Sequence, residues 1–80
     1  GPAATARVWF SPRVARWIRE EQPGVTMLKD GSLVREIPYF DLNWLTDEIL
    51  KYRGEAVLLA PAKLRREVAE TAGEVMELYR

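Results

Sequence analysis

The chain has no cysteine and no histidine. Those two absences together exclude disulfides, thiol nucleophiles, imidazole bases and nearly all zinc sites. Neither sign of charge is in excess, since 12 basic residues balance 12 acidic ones. That balance argues against a strongly nucleic-acid-binding surface taken as a whole. No apolar run approaches the roughly 20 residues of a membrane span. No signal-peptide pattern is visible at the start. The 5 glycines are scattered, so no glycine-rich phosphate loop exists.

What is present is a chain of 80 residues, 48% hydrophobic, long enough for one domain with one small core. Gly1-Pro2 reads as the scar of a protease cut. Residues 1–5 are expected to be scar and lead-in, and 6–80 a single domain excised from something longer. The chain is organised around Arg7-Val8-Trp9-Phe10-Ser11-Pro12. Four β-favouring residues run straight into a helix start. The Ser11 hydroxyl can cap the first turn, and Pro12 suits the first helical position, where a missing N–H costs nothing.

Strand one is expected over 7–10 and helix one from Pro12 to about Glu21, with Val14, Trp17 and Ile18 as its apolar stripe. Gln22-Pro23-Gly24 ends that helix. Strands two (25–29) and three (32–37) flank Asp30-Gly31, whose residues suit a type I′ hairpin turn, and Pro38 closes strand three. Asp41 caps helix two, 42 to about 53. Leu42, Leu45, Ile49 and Tyr52 form its buried face, Trp44 lies at the boundary, and Gly54 fits the left-handed position past its end. Strand four covers 56–60. Pro61 starts helix three, whose stripe is Leu64, Val68, Ala72, Val75 and Tyr79, with Leu78 beside it. The order βαββαβ followed by α is the ferredoxin-like, α+β pattern: a four-stranded antiparallel sheet plus an additional C-terminal helix. Strands one and four carry apolar residues on both faces, so the second sheet face is expected to be partly covered, by helix three, a second copy or a neighbouring domain.

Catalysis has little to stand on. The pairs Glu20/Glu21 and Asp47/Glu48 are adjacent on helices and point about 100° apart, which suits solvated faces rather than a cleft. Ser11 is a cap without a base. We expect no enzyme, no cofactor and no metal. The charge distribution is more informative. Arg7, Arg13, Arg16 and Arg19 all precede the first acidic residue. Arg7 and Trp9 share the far sheet face, and if Arg35 points the same way, an arginine–aromatic platform results. With Arg13 and Arg16 it would suit single-stranded nucleic acid or a small anion. The plainer alternative is an Arg16–Glu20 pair on the helix and a Trp9 buried under whatever covers the sheet. Helix three carries its charges backwards, with Lys63, Arg65 and Arg66 early and Glu70, Glu74 and Glu77 late, against the macrodipole. Two such helices packed antiparallel in a homodimer would set basic ends against acidic ends.

Several of these motifs together resemble a known family. Arg7 to Trp17, the Asp30-Gly31-Ser32-Leu33 hairpin, Trp44-Leu45, the run Gly54 to Pro61, Leu64-Arg65 and the closing Leu78-Tyr79 are similar to the WCX domain, the C-terminal extension of WYL-domain transcriptional regulators. The resemblance implies a ferredoxin-like fold, with Val8, Phe10, Pro12, Val14, Trp17, Gly31, Leu45, Gly54, Pro61 and Leu64 as fold-defining positions. It implies a bacterial, cytoplasmic regulator whose helix-turn-helix and WYL domains lie elsewhere in the parent chain and carry DNA and ligand contact. It implies a non-catalytic role in dimerisation and in transmitting or helping to sense a signal, nucleic acid being one candidate. No catalytic residue is carried over.

Overall fold

The computed structural model describes residues 4–18 and 22–80. In order, the elements are β1 (Ala4–Phe10), α1 (Pro12–Ala15), β2 (Val25–Met27), β3 (Leu33–Tyr39), α2 (Leu42–Leu50), a 3₁₀ turn (Arg53–Glu55), β4 (Ala56–Ala60) and α3 (Ala62–Glu77). The sheet runs β2-β3-β1-β4 with every pair antiparallel. This is the split βαββαβ, ferredoxin-like order with an additional C-terminal helix.

The junction of β1 and α1 is built as the residues dictate. Ser11 Oγ accepts from Val14 N, and Pro12 opens the helix. The Ser11 hydroxyl also donates to the Glu55 carboxylate, and Ser11 N donates to Glu55 O. One capping residue therefore ties β1, α1 and the 3₁₀ turn together. Asp41 caps α2 by accepting from Asn43 N and Trp44 N.

The core lies on one face of the sheet. Ala6, Val8 and Phe10 from β1 meet Leu33, Ala56 and Leu58 from its neighbours, under Ala15, Leu45, Ile49 and Leu64 from the helices. Phe10 meets Tyr52 edge-on, with centroids 5.4 Å apart. Leu64 joins this cluster, so α3 packs beside α2 and β4 on the helical side. It does not cover the second sheet face, where Val57 and Leu59 remain exposed.

Several boundaries depart from the expectation, each for a local reason. The α-helix of α1 stops at Ala15, and the last turn closes through Trp17 N to Val14 O and Ile18 N to Ala15 O. The outer limit expected for this helix, Glu21, lies with Arg19 and Glu20 outside the described residues. Trp17 is not in the stripe but 80% exposed. Small, buried Ala15 sets the inward face together with Val14 and Ile18, and at 100° per residue Trp17 sits roughly 120° from its middle.

The first strand starts at Ala4 rather than Arg7 because β3 is longer than expected, with Ala4 opposite Tyr39 and Thr5 opposite Pro38. Proline is tolerated within β3 for a directional reason. Glu36 N donates to Gly24 O on the β2 side, so the nitrogen of Pro38 faces the same way, beyond the end of β2, where no acceptor would be lost. The hairpin is not type I′. Gly31 N donates to Leu28 O and Leu28 N to Ser32 O, and of the two turn residues only Gly31 has positive φ, at 90°. This is a three-residue loop in which a turn is followed by a left-handed glycine. After α2 the left-handed residue is Arg53, at φ 58°, not Gly54. The helix ends three residues early, so the reversal falls one position sooner.

Candidate functional site

The register of β3 decides how the arginines are distributed. Directly paired residues of neighbouring strands share a face. Arg7 lies opposite Glu36 and Trp9 opposite Val34, whereas Arg35 lies opposite Val8. Arg35 is therefore on the helical side of the sheet with Val8 and Phe10, and the expected platform of Arg7, Trp9 and Arg35 does not form. Arg7 instead pairs with Glu36 at 3.4 Å on the open face. Trp9 is half-buried there beside Val57, its partner on β4. That face is apolar in the middle and locally neutral.

Arg13 and Arg16 are exposed on the outer side of α1, and Arg16 Nε donates to Arg13 O at 3.2 Å. Exposed Trp17 adjoins them. Arginine and aromatic surface thus meet here, through a residue that the pattern of bulky side chains had assigned to the core. The expected Arg16–Glu20 pair and Arg19 lie outside the described residues.

Arg35 reaches into a cavity of about 200 Å³ between the sheet and α2, lined among others by Phe10, Ile37, Trp44, Glu48 and Tyr52. Its Nε is buried and has no hydrogen-bond partner among the described residues. Glu48, in the same wall, is held by Lys51 at 2.8 Å. The hydrogen bond from that ammonium to Glu48 raises the pKa of Lys51 above its ordinary value. Asp47, the other half of the pair, is exposed, and the Glu20/Glu21 pair lies outside the described residues. Among the described residues no cluster of three or more carboxylates could hold a metal ion. No helix of these residues is long and apolar enough to cross a membrane.

Helix α3 carries the second candidate surface. Its N-terminus has no side-chain cap, its first turn no acidic residue and its last turn no basic one. The apolar stripe buries Leu64 and half-buries Val68, then runs on through Val75, Leu78 and Tyr79, which are exposed, Tyr79 by 86%. Arg65, Arg66, Glu70, Glu74 and Glu77 are all exposed. Beside the first half of α3 a shallow groove is lined by Leu50, Val57, Ala69 and Ala72, with Arg53 and Arg65 in its walls.

Comparison with known proteins gives one match. The family model described as the WCX domain matches residues 2–76. No curated protein matches, and no solved structure matches. The WCX domain is a WYL-associated regulatory domain rather than a known catalytic one. The match spans strand, hairpin, both core helices and most of α3, and the chain belongs to the WCX domain family.

Proposed function

We propose that this domain is the non-catalytic dimerisation and signal-coupling module of a WYL-type helix-turn-helix regulator. The carrying observation is a fit between two surfaces of α3. Its outer end presents Val75, Leu78 and Tyr79 beside Glu74 and beside Glu77, which pairs with Arg80 at 3.2 Å. Its inner half borders an apolar groove walled by Arg53 and Arg65. In an antiparallel, two-fold arrangement each tip enters the other copy's groove, acid against base, and the contact is made twice. The reversed charges that work against the helix dipole in one copy then work for the pair. Coupling follows if the effector-bound parent favours one relative position of the two helices, for example through its WYL domain. Replacing Val75 and Tyr79 by serine tests the reading: the variant should be monomeric at concentrations where the parent sequence is dimeric, with unchanged circular dichroism. Equal association of both would remove it.

A second reading is supported by Arg13, Arg16 and Trp17, which together suit single-stranded nucleic acid by stacking and phosphate contact. Titration with a labelled oligonucleotide at low salt tests it. Salt-sensitive binding lost in Trp17→Ala supports it, and no binding excludes it for this domain.

A further inference from the structure

The Arg35 cavity stands apart from the dimer and from the outer face of α1. A guanidinium does not lose its charge at any pH that leaves a protein folded. Its burial is tolerated where opposite charge and acceptors meet it. Here Nε is buried without an acceptor among the described residues, and the carboxylate in the same wall is already engaged by Lys51. Around the guanidinium stand the rings of Phe10, Tyr52 and Trp44, and Trp44 is half-exposed at 49%. The volume is about 200 Å³, and roughly 150 Å³ already accepts a benzene ring. A half-buried arginine whose Nε is buried and unmet among the described residues, aromatic walls and room for one ring define one ligand chemistry.

We propose that the cavity between β3 and α2 is a binding site for a small aromatic carboxylate. The ring packs among Phe10, Trp44 and Tyr52, and the carboxylate accepts from Arg35, whose fork geometry suits it. Glu48 sets the selectivity. Neutralised by Lys51, it leaves the site open to an anion; freed, it would compete for Arg35.

The test uses the 80-residue chain with sodium benzoate, benzamide and benzamidine as probes, read by NMR at the indole N–H of Trp44 and by calorimetry. Benzoate should bind saturably at one site, with benzamide and benzamidine each weaker by about tenfold or more, the loss expected when one charge-assisted pair is removed. Arg35→Met should lose a similar factor. Glu48→Gln, which leaves the arginine in place, should tighten benzoate by about two- to fivefold. Benzoate that fails to saturate, benzamide that binds equally, or a Glu48→Gln protein that binds benzoate no better would each overturn the assignment. The Glu48→Gln measurement decides the matter even if Arg35→Met fails to fold.

Discussion

Arg65→Glu should move two properties of this domain in opposite directions. In the single chain, Arg65 lies in the second turn of α3 and shares a groove with Arg53. A glutamate there faces the positive end of the helix and turns a repulsion into an attraction. It has no acidic residue three or four positions along the helix to oppose it, since those positions are Val68 and Ala69. The gain is about 0.3–0.8 kcal/mol, which raises the melting temperature of a chain this size by roughly 1–6 °C. In the proposed dimer the same change replaces attraction to the partner copy's acidic tip by repulsion, and symmetry counts it twice. At about 0.3–0.5 kcal/mol for each attraction lost and each repulsion gained, the contact weakens by about 1–2 kcal/mol, or roughly five- to thirtyfold in Kd. Thermal melts at low micromolar concentration and sedimentation equilibrium at higher concentration separate the two effects. Adding Glu74→Lys should restore association by exchanging the charges, without touching the Glu77–Arg80 pair of the same chain. A variant with raised melting temperature and unchanged dimer Kd, or a double variant with no recovery, would refute the pairing of these ends.

Other perturbations have equally definite outcomes. Arg53→Gly should stabilise the monomer by about 0.5–1 kcal/mol in urea unfolding, because the residue at φ 58° pays a steric cost that glycine avoids. Leu45→Ala removes a fully buried side chain from the centre of the core; a cost of about 2–5 kcal/mol approaches the whole stability of a small domain, so circular dichroism should show a largely unfolded chain. Hydrogen bonds from the Ser32 hydroxyl and then the Ser32 N–H hold the Asp30 carboxyl below its ordinary value of 3.8. A group depressed on folding contributes stability that is fully present above its unfolded pKa and is lost as pH falls through the lower, folded one. Urea midpoints should therefore decline below about pH 4, and Ser32→Ala should show a shallower decline.

Local chemistry made much of this fold legible. Ser11-Pro12 and Asp41 announced two helix starts, and both caps form as the residue types require. The strand order followed from the βαββαβ succession, and alternation put Val8 and Phe10 on one face of β1; β4, apolar on both faces, did not show that Ala56 and Leu58 are the buried pair. What failed depended on distant pairing. Alternation already groups Arg35 with Leu33 and Ile37, but Val34 is as apolar as either, so only the register with β1 shows that Arg35 turns inward. Trp17 misled because size suggests core, whereas Ala15 lets α1 approach the sheet and rotates the indole outward. Asp30-Gly31 marked the turn correctly, yet its type depends on a loop one residue longer. The candidate surfaces were only partly readable: the charge order of α3 was plain in the sequence, but the groove proposed to receive it is assembled from α2, β4 and α3.

The most direct test is the molar mass of the unmodified chain by light scattering, over a dilution series at about 50 and about 500 mM salt, where screening lengths differ severalfold. Association through oppositely charged helix ends predicts a mass rising from one chain toward two with concentration, with the midpoint moving to higher concentration in the stronger salt. A mass of one chain at every concentration and both salts would contradict it.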